Sequence, residues 1–187
     1  MASRPRVCQT LKTSLLLLLF PALIAELAQA LEDQSRVFAQ VAPWKIAVDD
    51  SMNRGCFIFA EFPRGTFLRI GKDNVENNIY VFVGDPHWKQ IEYGRQYPID
   101  ISFSDKGYWR VSATGVSFDP PENQPIIGFV VPHENNTAAR FLYEFMKESQ
   151  VEFFFQGTVI ARISLENSYQ AGLKLMECQR VMNQINS

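Results

Sequence analysis

The sequence predicts an α+β fold, mainly antiparallel β (a sandwich or a partly closed barrel), with two helices, one of them C-terminal. Three observations predict it. Short segments rich in β-branched and aromatic residues recur along the chain, several with period-two alternation. Turn residues separate them at short intervals. Only two segments space their apolar residues as a helix does.

The strand segments come in order. Residues 44–48 alternate. Residues 56–62 are aromatic and mostly apolar, and 66–70 follow the break Pro63-Arg64-Gly65. Residues 78–83 are rich in β-branched and aromatic types. Residues 97–103 put Tyr97, Ile99, Ile101 and Phe103 on one face. Residues 108–113 are next, and 126–131 form a short run of buried type. Residues 151–155 and 158–165 make a hairpin across Gln156-Gly157. Polar breaks fall at 73–78, at Asp85-Pro86 and at Asp105-Lys106-Gly107. The first helix covers 138–148, with Phe141, Leu142, Phe145 and Met146 at helical spacing and Asn136 or Thr137 as N-cap. The second covers 169–182. Its Ala171, Leu175, Cys178 and Met182 form one stripe.

The domain layout follows from the N-terminus. Arg4, Arg6 and Lys12 precede an apolar run, 15–24, and Ala28-Gln29-Ala30 closes it with an A-x-A pattern. That is a signal peptide over 1–30, followed by a single mature β-rich domain, 31–187. The apolar run is too short for a membrane span of about 20 residues. No transmembrane anchor is therefore expected after cleavage, and the location expected is periplasmic or secreted. Cys8 leaves with the signal. Cys56 and Cys178 remain, and an even pair in an exported chain reads as one disulfide clamping the last helix to the strand of Cys56.

Of 187 residues, 47% are hydrophobic and 20% charged, which excludes a disordered chain. The 18 Lys+Arg stand against 20 Asp+Glu, so nucleic-acid binding has no electrostatic support. Two His and three Cys leave little for a zinc or haem site. No metal and no cofactor are expected.

Local motifs fail on count. Gly65 to Lys72 has five residues between its glycines where a P-loop has four, and Asp73 stands where Ser or Thr would bind magnesium. Asp73, Glu76, Asn77 and Asn78 lack the spacing of a calcium loop. His133-Glu134 has no second His. His87 lies beside Asp85, a general-base pairing, yet no Ser sits in a recognised nucleophile motif. Asn135-Asn136-Thr137 matches a glycosylation sequon and also reads as a helix-cap loop. No catalytic residue is assigned. The distinctive feature is a run of rings, Trp88, Tyr93, Tyr97, Tyr108 and Trp109. They would make a stacking surface if several shared an exposed face.

The order of landmarks is Trp44, then Cys56 among aromatics, then Trp88-x-x-Ile91-x-x-Gly94-x-x-Tyr97, then Ser164-Leu165, Ala171 and Cys178-Gln179. It resembles small exported β-rich proteins of alphaproteobacteria, mostly uncharacterised, and more distantly the invasion-associated locus B family. The closely spaced cysteine pair of that family is absent here. The resemblance implies a periplasmic or surface protein of a kind with no known catalytic activity. The lack of any catalytic constellation, with the heavy aromatic load, makes the expected function that of a non-enzymatic, exported binding or envelope-associated protein acting through contact with an envelope or extracellular protein. The alternative is a secreted glycan or peptide hydrolase using carboxylates or a lone His. A pocket joining His87 to Asp49, Asp50 or Glu92 would favour it. A protruding loop at 120–125 would favour an inhibitor-like binder.

Overall fold

The computed structural model describes residues 35–104, 107–117 and 124–185. The expected signal peptide, the start of the mature domain and most of the 120–125 loop lie outside the described residues.

Among the described residues the strands are β1 (Ser35–Val41), β2 (Trp44–Asp49), β3 (Gly55–Glu61), β4 (Phe67–Lys72), β5 (Ile79–Gly84), β6 (Gln96–Phe103), β7 (Tyr108–Val116), β8 (Ile126–Val131), β9 (Gln150–Phe155) and β10 (Thr158–Ser164). The helices are α1 (Thr137–Lys147) and α2 (Ser168–Ile185). The strands form one sheet in the order β1-β2-β3-β4-β5-β8-β7-β6-β9-β10, antiparallel throughout and not closed. The α+β expectation holds, with both helices where the periodicity puts them.

β1 is a strand the alternation did not reveal. It is an edge strand, and Arg36, Val37 and Gln40 are exposed, so one buried face does not pattern its sequence. Both edge strands carry a register break, between Val37 and Ala39 in β1 and between Val159 and Ala161 in β10. Such bulges twist an edge away from further pairing. The β9–β10 turn places Gln156 and Gly157 at φ 51° and 77°. Two consecutive positive φ values are the geometry of a two-residue hairpin turn, which glycine adopts without steric cost.

The buried face of the sheet holds the core. Tyr97, Ile99, Ile101 and Phe103 are all buried, as their alternation predicts. α1 lays Phe141 and Phe145 into this face. Phe141 packs edge-on against Phe103, Trp109 and Phe129 from β6, β7 and β8. Phe145 packs edge-on against Trp44 of β2, at 5.3 Å between ring centroids. One helix thus contacts strands from both halves of the sheet. Each fully buried ring stabilises by about 1.5–3 kcal/mol. Asn136 does occupy the N-cap position of α1, but in left-handed geometry and without a side-chain cap bond. The helix is held by packing and not by its cap.

The α2 stripe Ala171, Leu175, Cys178 and Met182 is buried as predicted. Gly172 allows close approach to α1, because a Cβ there would run into Met146. Cys178 and Cys56 form a disulfide across 122 positions, and both are fully buried. Beside it, Gln179 Oε1 accepts from Cys56 N at 3.2 Å, so bridge and hydrogen bond fix the same turn of α2 to β3.

The opposite face of the sheet carries its own aromatic layer. Phe67, Tyr80 and Phe82 lie directly opposite Gly84, Gly71 and Gly128 on neighbouring strands. A Cβ at any of the three glycines would collide with the ring across from it. The rings therefore lie over the neighbouring backbone. Arg69 stacks on Phe57 at 3.8 Å, bonds Tyr80 Oη at 3.1 Å and pairs with Asp49.

Replacing Cys56 and Cys178 together by Ala should cost roughly 2–5 kcal/mol. That corresponds to a drop in melting temperature of about 5–15 °C for a chain of this size. Thermal unfolding under non-oxidising and oxidising conditions checks it, and an unchanged midpoint in the double variant would contradict the clamp.

Candidate functional site

The long connection from β5 to β6, residues 85–95, crosses the ends of β8 and β7, because β6 lies three places away from β5 in the sheet. Gly94 N donates to Gly115 O and Gly115 N to Arg95 O, both at 2.8 Å, which ties the end of the loop to β7. Three side chains hold the rest. Tyr97 Oη donates to Gln90 O at 2.9 Å and accepts from Glu92 N at 2.8 Å. Trp88 Nε1 donates to Ile160 O of β10 at 2.9 Å. Asp85 is the third.

One Asp85 oxygen accepts from His87 N at 2.8 Å and lies 2.9 Å from His87 Nδ1. The other accepts from Thr66 Oγ1 at 2.6 Å. Partial burial by itself pushes the Asp85 carboxyl up. The bonds from Thr66 and from the His87 backbone and ring, with the charge of the imidazole, outweigh it and hold the carboxyl below its ordinary value. His87 is oriented by this contact, and its side chain is 69% exposed.

Two concavities meet along this loop. The larger, about 710 Å³, is lined by Lys89, Glu92, Arg95, Tyr97 and Phe155 among others. The smaller, about 420 Å³, lies between the β3–β4 turn and β10, with Arg64, Thr66, Asp85 and Arg162 in its wall. His87, Trp88 and Ile160 line both, so the two form one groove with the imidazole at their junction. Arg95 pairs with Glu92 at 2.7 Å and Arg162 with Glu152 at 2.5 Å. Arg64 and Lys89 are exposed and have no ion pair among the described residues. The groove therefore has a ring-lined floor and a rim with surplus positive charge.

The five rings singled out in the sequence do not share a face. Tyr97 is buried and Trp88 partly so, and both spend their polar atoms holding backbone. Trp109 points to the helix side, donates from Nε1 to Glu144 Oε2 at 2.6 Å, and lies under Arg140. Tyr108, its neighbour, takes the other face, 68% exposed and edge-on to Phe154. Tyr93 is 83% exposed on the loop. A common stacking surface is thus replaced by a loop anchored by two of these rings. The reason is physical: a buried indole or phenol needs a polar partner, and the loop and β10 backbone supply it.

Of the carboxylates named for hydrolysis, Asp49 pairs with Arg69 and Asp50 with Arg36. Only Glu92 shares a cavity with His87. His133 is exposed, with its backbone N–H on Asn78 Oδ1 at 3.0 Å. Asn135 is exposed too, at φ 53°. No group of three His, Cys, Asp or Glu residues that could hold a metal occurs among the described residues. No described helix is long and apolar enough to cross a membrane. Sequence reasoning missed Thr66, Arg64 and Ile160, which join the site only through the sheet order.

No protein family, curated protein or solved structure matches this chain.

Because the Asp85 carboxyl lies below its ordinary value of 3.8, its bonds stabilise the fold above that pH. The contribution disappears as the pH falls through the lowered folded value. Asp85→Asn should therefore melt below the parent protein at neutral pH, and the gap should close in acid below 3.8. Melting curves across pH check it, and a gap that does not change with pH would contradict the assignment.

Proposed function

We propose that this protein is an exported, non-enzymatic binding protein of the periplasm or extracellular space that acts by contact with another protein. The observation that carries the reading is the continuous groove along residues 85–95, with rings in its floor and the unpaired cations Arg64 and Lys89 on its rim. A buried disulfide and a rigidly anchored loop suit a binding surface that works outside the cytoplasm. The partner that fits is an acidic segment carrying one or more apolar side chains, steered by the rim and seated on the floor.

The second reading is a secreted hydrolase. It is favoured by one observation, the imidazole oriented by Asp85 at the junction of a cavity that also holds Glu92. A carboxylate-oriented His is the arrangement a general base uses.

Cross-linking from intact cells with the tagged protein, followed by mass spectrometry, separates the two. The binding reading predicts an enriched protein whose recovery falls severalfold with Arg64→Glu plus Lys89→Glu and is unchanged with Arg110→Ala, on the other side of the sheet. Equal recovery from the groove variant would overturn it. Turnover of peptide or glycan substrates that is lost in His87→Gln would establish the second reading instead.

A further inference from the structure

A separate groove of about 540 Å³ lies between the two helices and the facing ends of β4 and β5. It shares no lining residue with the groove along residues 85–95. Its floor is apolar: Ile79 from β5, Leu142 from α1, Leu175 and Met176 from α2. Met176 is 50% exposed, so an unbranched apolar side chain stands in water at the edge of this floor. Lys72 at the end of β4 and Arg180 on α2 stand on the rim, and no carboxylate lines the groove among the described residues.

Lys72 and Arg180 are the cations on this rim. Neither has an ion pair among the described residues. The carboxylate one turn back on α2, Glu177, pairs with Lys174 at 2.7 Å and feels the charge of Arg180 more weakly. The wall between them is fixed. Gln179 is buried, accepts from Cys56 N, and donates from Nε2 to Asn74 at 2.7 Å and to Asn183 at 2.9 Å. The disulfide at Cys178 holds the same turn of α2. The rim cations thus project from preformed backbone, which lowers the ordering cost of binding.

The combination of an apolar floor, two rim cations with no carboxylate in the lining, and a volume in the range of small-molecule sites selects one chemistry. The floor takes a chain of methylene groups, and an ammonium with a guanidinium takes an anionic head, the guanidinium in bidentate fashion. We propose that the groove between α1, α2 and the ends of β4 and β5 binds a fatty-acid anion, with its chain on Ile79, Leu142, Leu175 and Met176 and its carboxylate between Lys72 and Arg180. The site does not depend on the function proposed for the loop groove.

Titration calorimetry with dodecanoate, kept below its micelle concentration, tests it. The expected result is saturable binding of one dodecanoate per chain. Dodecanol should bind at least tenfold more weakly and dodecyltrimethylammonium not at all. Lys72→Ala plus Arg180→Ala should weaken dodecanoate at least tenfold while leaving the melting temperature in place, because both residues lie on the rim and not in the core. Met176→Glu should abolish binding. No binding of dodecanoate, equal binding of dodecanoate and dodecanol, or unchanged binding by the double cation variant would each overturn the proposal.

Discussion

Two indole N–H groups hold together a sheet that strand pairing leaves open. Trp44 Nε1 donates to Glu166 O, just past the end of β10, at 2.8 Å, and Trp88 Nε1 donates to Ile160 O near its start at 2.9 Å. Among the described residues β10 pairs on one side with β9 and on the other with no strand. Asn167 Nδ2 adds a bond to Ala42 O in the β1–β2 turn. The last strand is therefore laid against the turns and the loop of the first half of the sheet by side chains. A hydrogen bond of this kind contributes about 0.5–1.5 kcal/mol, so together these bonds bear on where β10 sits. The bulge at Ile160 and the indole on its carbonyl also cover an edge that would otherwise offer itself to another chain.

The groove is a consequence of that seam. Because β10 meets the β3–β4 turn through side chains and not through a ladder, space remains between them, and Arg64, Asp85 and His87 face it. Because two strands, β8 and β7, separate β6 from β5, the connection must be long, and Tyr97 has backbone to hold. The aromatic content is divided the same way. Phe141 and Phe145 fill the helix side, and Phe67, Tyr80 and Phe82 lie over glycines on the other. Trp44 and Trp88 serve as hydrogen-bond donors at the seam.

Much of the fold is legible in the sequence because its signals are local. Alternation in 97–103 and the stripe Ala171, Leu175, Cys178 and Met182 each report one buried face, and burial follows. Cys56 and Cys178 were legible as the pair expected to survive export. β1 was not, since an edge strand with Arg36 and Gln40 in water has little alternation to read. The Asp85–His87 pair could be read at a spacing of two. Its Thr66 partner could not, since it arrives from another strand, and the Trp88 bond spans 72 positions to Ile160. The five rings stand out in the sequence by their spacing. Which of them would be consumed as anchors depends on sheet order, and nothing in their spacing encodes that order.

The seam is tested most directly by hydrogen exchange, read by mass spectrometry, on the parent protein and on Trp44→Phe plus Trp88→Phe. Phenylalanine keeps most of the packing and removes both donors. Faster exchange confined to β10 and to residues 85–95, with the β2–β5 strands and α2 protected as in the parent, is the predicted result. Unchanged exchange in β10 would show that strand pairing with β9 alone positions it, and the account of the groove would fail with it.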